Sequence, residues 1–387
     1  MTVPILDLKR SFNEIHPEIS AAVERVFATQ GFVLGREVEL FERHCAKYLE
    51  LPEDSCVGCA SGTDALLLAL MAIDLKPGDE VITTPFTFFA TAGAIARLGG
   101  VPVFVDVDPE SYNIDIQHVM DKITPKTRAV LPVHLFGQMT PLEEIAPKLK
   151  ERGIALIEDA AQAFGAVRVF PDRIDRAGTV GDIGCYSFFP TKNLGGCGDG
   201  GMVVSKDKAI ADRLRRLRVH GAGKTYFHDE IGINSRLDAL QAAILDIKLR
   251  HLDEWNEERR KIAEFYKLLF KANGLHEYVT VPEETAGNVH IWHQYSVRVK
   301  ERRDELMAFL EGKGIAVRVY YPLSLHLQPC FRYLGYHEGD FPQSERLSLE
   351  IMALPVYPGL TEDEQKEVAE SIAEFFVKQG EKSQRYS

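Results

Sequence analysis

Short apolar runs recur along the first half of the chain, at Cys56–Ala60, Val81–Thr84, Pro102–Asp106, Ala129–His134, Ala155–Glu158, Cys185–Phe189 and Met202–Ser205. Helix-length segments such as Thr63–Ile73, Ala90–Leu98 and Pro141–Arg152 lie between them. The runs are continuous rather than alternating, as in strands covered on both faces, and parallel strands need helical crossovers. The predicted fold class is α/β: a mostly parallel seven-stranded sheet sandwiched by helices. In such sheets ligands collect beyond the carboxyl ends of the strands.

The flanks read differently. Ile5-Leu6-Asp7-Leu8 leads into amphipathic helices over Glu14–Thr29 and Gly35–Tyr48. Arg236–Trp255 carries apolar residues at Leu237, Leu240, Ile244, Ile247, Leu252 and Trp255, which predicts one long helix leaving the first domain. Beyond it, Ile291–Val299 alternates as a half-buried strand and Glu301–Gly312 reads as a helix. Val317–Tyr321 and Met352–Val356 suggest more strand, and Glu362–Phe376 a closing helix. The polar end, Glu381–Ser387, is expected to fray. At 387 residues the chain is long for one core, so two domains are expected. These are a large domain over 1–250 and a smaller C-terminal α+β domain over 251–387.

Charge and composition narrow the function. A formal charge of −12 with no long basic stretch argues against nucleic acid as a partner. The cluster Arg213, Arg215, Arg216 and Arg218 reads as a solvated helix face. The longest apolar run, Ala65–Ile73, is too short to span a bilayer, and Met1–Asp7 has neither the basic start nor the apolar core of a secretory leader. Six cysteines sit mostly in apolar segments, as reduced cytoplasmic thiols do. Cys56-Val57-Gly58-Cys59 has metal or redox spacing, but no second pair completes a site and strand alternation separates the two; no metal is expected.

Four strand-end elements converge on one chemistry. Ser61-Gly62-Thr63-Asp64-Ala65 joins a strand to an apolar helix, where main-chain amides and a hydroxyl bind phosphate; an ordinary N-cap reads the same way. In Ile157-Glu158-Asp159-Ala160-Ala161-Gln162, an acid ends a buried strand and suits a protonated ring nitrogen, or else a helix cap. Pro85-Phe86-Thr87-Phe88-Phe89 offers a ring to stack on a flat ligand, with at least two of its three phenylalanines expected in the core. Ser187-Phe188-Phe189-Pro190-Thr191-Lys192-Asn193-Leu194-Gly195-Gly196 sets one lysine in a glycine-rich turn. Taken alone this is a loop lysine reaching solvent; taken with the others it is an amine that bonds an aldehyde. Phosphate cup, aromatic platform, acid and lysine, in that order, fit pyridoxal 5′-phosphate, with Lys192 moving the proton and Asp159 holding the ring's charge.

These motifs, with Gly35–Phe41, Gly198-Asp199-Gly200-Gly201 and Gly232-Ile233-Asn234-Ser235-Arg236, resemble the DegT/DnrJ/EryC1/StrS family of nucleotide-sugar aminotransferases over nearly the whole chain. That family belongs to the aspartate aminotransferase superfamily (fold type I). The resemblance implies that Lys192 carries the cofactor, Asp159 meets its ring nitrogen, Gln162 lies near its phenolic oxygen, and Phe88 stacks on its ring. Gly62, Thr63 and Ser187 would hold the phosphate. Asn234 would reach the phosphate of a neighbouring subunit, which makes the protein a homodimer with shared sites.

For the substrate, the resemblance points to Val319-Tyr320-Tyr321-Pro322 and Leu325-His326-Leu327-Gln328-Pro329. A histidine is common where Tyr320 stands, which leaves the role of Tyr320 open; Tyr321 is preferred to His326 as a substrate contact. Arg236 would lie nearby or simply anchor a helix. His220 is as consistent with structure as with function, and His134 reads as a core histidine. The implied reaction moves an amino group from L-glutamate to a nucleotide-linked keto-sugar in amino-sugar or cell-surface polysaccharide biosynthesis. Similarity around Gly232–Trp255 and Tyr320–Pro329 leans towards UDP-linked 3-keto sugars. Three other readings compete. A sugar dehydratase on this scaffold would have histidine in place of Lys192, and a non-catalytic regulator need not keep the site intact. An aldolase or desulfurase acting on amino acids alone would lack the Asn234 segment.

Overall fold

The computed structural model describes residues 2–224 and 226–385, with side chains described through residue 377. The seven predicted strands form one sheet: β1 (Cys56–Cys59), β2 (Glu80–Thr83), β3 (Val101–Phe104), β4 (Thr127–Val130), β5 (Ala155–Asp159), β6 (Ile183–Ser187) and β7 (Gly201–Val204). Their order is β1-β7-β6-β5-β4-β2-β3. β7 runs antiparallel to both β1 and β6, and the other pairs are parallel. With β7 reversed between them, β1 and β6 point the same way as β5. The carboxyl ends of all three therefore open on one edge.

Register makes that edge tight. Gly201 pairs with Cys59 on one side and Ser187 on the other. A Cβ there would come within 2.3 Å of Ser61 O, so only glycine lets the turn after β1 press against the end of β6. Helices α1 (Leu8–Thr29) and α2 (Arg36–Tyr48) cover one face, and α3 (Gly62–Ala72) packs over β6 and β7 on the other. α3 is apolar almost all round because it is buried on nearly every side.

The long helix predicted over Arg236–Trp255 is two helices, α4 (Ala239–Leu249) and α5 (Leu252–Ala272). At Arg250 and His251 the amides bond three residues back, to Ile247 O and Lys248 O, so the turn tightens and the ladder is interrupted. The apolar spacing continues across this joint and gives no sign of it.

Further on, β8 (Val279–Thr280), β9 (Tyr295–Val299) and β10 (Ile351–Leu354) make an antiparallel sheet. Its core joins Tyr266, Phe270, Val297, Leu306, Leu354 and Ile372, and Val3 from the start of the chain. On this separate core we propose the division into 1–250 and 251–387, with the N-terminal segment returning to the second unit: Val3 bridges Ile315 and Arg10 grips Glu364. The predicted strand over Ile291–Val299 begins only at Tyr295, because Ile291 and His293 donate to Gly137 O and Phe136 O in the large domain. Val317–Tyr321 forms a single bridge, Arg318 to Ala353, rather than a strand. The closing helix runs from Glu362 to Arg385, so the predicted frayed tail is helical to that point; residues 386–387 lie outside the described ones. A small sheet of Val167–Val169, Ile174–Arg176 and Asn288–Val289 was not anticipated.

The arginine cluster is not a solvated face. Arg218 is buried, and its Nη1 donates to Glu42 Oε1 at 2.5 Å and Gly58 O at 2.9 Å, while Arg213 and Arg216 share Glu230. Cys56 and Cys59 are buried in different clusters, and burial pushes both thiols up, away from reactivity. His134 is buried with its Nε2 2.7 Å from Glu158, a structural pair.

Candidate active site

Where β1, β5 and β6 end, a cavity of about 550 Å³ opens, lined by Gly62, Thr63, Phe88, Asp159, Gln162, Ser187, Lys192, Tyr320 and Tyr321 among others. Nine of the twelve singled-out residues thus meet in one space. The three that do not are Asn234, which is exposed; Arg236, which is half-buried; and His326. His326 is fully buried elsewhere, its Nε2 3.0 Å from Glu345 and its ring against Phe341.

Asp159 is the last residue of β5 and 5% exposed. Thr91 Oγ1 donates to its Oδ2 at 2.8 Å and the Ala161 amide to its Oδ1 at 3.1 Å. Burial nevertheless holds its pKa above the usual carboxylate range. Two neutral donors do not offset desolvation, so the carboxylate wants a cation. Lys192 sits in the turn after β6, where its amide donates to Phe189 O. It lines the cavity, and burial lowers the pKa of its amine to about 8, with Asp159 acting the other way. The lysine is therefore neutral often enough to act as nucleophile and base.

At the other end, Ser61 caps α3 by accepting from the Asp64 amide at 3.1 Å, and the first-turn amides of Gly62 and Thr63 line the cavity beside Ser187. A Cβ on Gly62 would stand 2.6 Å from Ser187 Cβ, so the glycine keeps this cradle open. Gln162 is clamped: its Oε1 accepts from the Phe136 amide at 2.8 Å and its Nε2 donates to the Tyr321 hydroxyl at 3.0 Å. Of the three phenylalanines after β2, only Phe86 is core. Phe88 is 55% and Phe89 46% exposed, which corrects the expectation that at least two are buried. Phe88 flanks the cavity and tilts towards Tyr321.

The sequence reading missed Thr91, Phe136, His293 and Gln294. Thr91 stands in the first turn of the helix over Ala90–Arg97 and His293 on what reads as a strand; neither position carries a local sign of the partner it will meet.

A cation-seeking buried carboxylate, an enclosed amine of lowered pKa and an anion cradle, all at the carboxyl edge of one sheet, suit the pyridinium, aldehyde and phosphate of pyridoxal phosphate. They define the class: an enzyme of the pyridoxal-phosphate fold. Within that class the chain belongs to the DegT/DnrJ/EryC1/StrS aminotransferase family, whose profile matches residues 13–373, and the aminotransferases of this family are pyridoxal-phosphate dependent. It is 48% identical over 377 residues to a "Pleiotropic regulatory protein" of Geobacillus stearothermophilus, covering 97% of this chain and 99% of that one. It is 40% identical to a "UDP-N-acetyl-3-dehydro-alpha-D-glucosamine 3-aminotranferase" of Acidithiobacillus ferrooxidans, covering 96% and 97%. Among solved structures, DesV of S. venezuelae in complex with a ketimine intermediate superposes with a TM-score of 0.91 at 37% identity, over 97% of this chain and 98% of that one.

Proposed function

We propose that this aminotransferase moves an amino group from L-glutamate to a nucleotide-linked 3-keto sugar, with UDP as the favoured nucleotide. The observation that carries the reading is the enclosure of Lys192 and Asp159 in one cavity with the Gly62–Ser187 cradle. The bound cofactor supplies an electron sink that stabilises a carbanion next to the transferred nitrogen. The chain's own residues do the rest. Asp159, held by Thr91 and Ala161, keeps the cofactor ring nitrogen protonated, and Lys192 carries the proton to and from carbon. Thr63 and Ser187 take the phosphate, Phe88 covers a ring face, and Gln162 with Tyr321 sets the polar edge. Tyr320 lines the route for substrate. The name of the Acidithiobacillus relative, a 3-aminotransferase, supports the 3-keto choice.

The site is shared in a homodimer. Asn234 is exposed and outside its own chain's cavity, as a residue offered to a neighbour would be. Ile231 is 92% exposed, apolar surface of the kind a second copy covers. Among the described residues no helix is long and apolar enough to cross a membrane, and all six cysteines are free, which supports a reducing cytoplasm.

The test is the spectrum of the purified holoenzyme. Glutamate should bleach the cofactor band, UDP-linked 3-amino sugars should bleach it likewise as donors in the reverse direction, and 2-oxoglutarate should restore it in either case. Lys192→Ala should cut turnover by at least about a thousandfold. A response only to 4-amino sugars overturns the 3-keto assignment. The Geobacillus relative's name favours a second reading, a regulator without catalysis. Failure of every amino donor to change the spectrum would select it.

A further inference from the structure

Among the cavity residues to which the chemistry above gives no role is His293. It is 6% exposed, and is fixed in both backbone and ring. Its amide donates to Phe136 O at 2.8 Å. Arg259 Nη1 reaches Trp292 O at 3.2 Å, His293 O at 3.5 Å and Val356 O at 2.8 Å. The ring Nδ1 lies 3.1 Å from Asn193 Oδ1, and Asn193 Nδ2 in turn lies 3.0 Å from Ile291 O and 2.8 Å from Asn256 Oδ1. Asn256 and Arg259 are three apart on α5 and both buried, so one helix face holds the histidine twice.

This chain of contacts sets the tautomer. A main-chain carbonyl only accepts, so the Asn193 atom facing Ile291 is the amide nitrogen. The atom facing His293 is then the oxygen, which also only accepts. His293 Nδ1 must donate. In a neutral ring that leaves a bare lone pair on Nε2. The ring is neutral: burial first, then Lys192 and Arg259, hold its pKa well below the usual histidine value.

Resting on the aminotransferase reading, we propose that His293 determines specificity for the sugar, its Nε2 accepting a hydrogen bond from a hydroxyl of the hexose. A fixed acceptor suits only a ligand that brings a proton. The carboxylates of the amino donor bring none and would face the lone pair, whereas sugar hydroxyls do. His293 therefore acts in the sugar half-reaction more than in the donor half-reaction.

The test titrates the holoenzyme with UDP and with UDP-N-acetylglucosamine, and follows the two half-reactions separately by absorbance. His293→Asn keeps a donor towards Asn193 and removes the acceptor, and His293→Gln carries an amide oxygen to the Nε2 position. H293N should weaken UDP-N-acetylglucosamine about tenfold and UDP less than about twofold, with H293Q within about threefold of wild type. The sugar half-reaction of H293N should slow at least about fivefold more than its donor half-reaction. Equal losses for UDP and the UDP-sugar, equal slowing of both half-reactions, or no change at all would overturn the proposal. A wild-type spectrum that ignores glutamate would instead sink the aminotransferase reading, and the ratio of UDP-sugar to UDP affinities would still decide the role of His293.

Discussion

A single amine illustrates how burial becomes chemistry. Free lysine titrates near 10.5, and enclosure brings Lys192 to about 8. Only the neutral amine attacks an aldehyde, so loading of apoenzyme with pyridoxal phosphate should speed up about tenfold per pH unit below pH 8 and level off above it. A rate still climbing steadily at pH 10 would mean that Lys192 titrates as an exposed lysine. The same shift has a stability side. Between about pH 8 and 10.5 the unfolded lysine keeps a proton that the folded one has lost, so this residue makes the apoenzyme more stable as pH rises through that window. Below pH 8 the cost of burying its charge is fully present.

Among elements, the contact that ties the first strand to the helices around it is Glu42 on α2. It accepts from the Gly58 amide at 2.8 Å and from Arg218 at 2.5 Å, with both side chains about one-tenth exposed. Arg218 also reaches Gly58 O. One ion pair thus ties α2, β1 and the segment after β7 together. Removing only one partner strands a buried charge, so Arg218→Ala should destabilise by about 3–5 kcal/mol in denaturant melts. A loss below about 1 kcal/mol would place the pair with ordinary surface bridges. This contact also marks a limit of sequence reading. Four arginines in a helical run look solvated, and only the fold supplies Glu42 and Glu230 from remote positions.

For the whole molecule, the prediction concerns two copies. If Lys192 of one subunit works with Asn234 of its neighbour, Lys192→Ala and Asn234→Ala dimers are each defective in both sites. A mixed dimer then holds one site with both residues intact. Unfolding and refolding an equal mixture should recover about a quarter of wild-type turnover. No recovery above the unmixed variants would mean that each chain builds its site alone.

The sequence by itself determined the seven strands, their mostly parallel arrangement and the four strand-end motifs, because apolar continuity, glycine turns and caps are local consequences of local residues. Lys192, Asp159 and the Ser61–Asp64 turn were legible for that reason. The tertiary structure alone decided what crosses the chain: the break between α4 and α5, the detachment of Ile291–Gln294 from its predicted strand, the burial of Arg218, and the placing of His326 outside the cavity. Each depends on partners more than twelve residues away, or on a hydrogen-bond detail that leaves the apolar period unchanged. Periodicity reports which face of a segment is buried; it does not say what that face will meet.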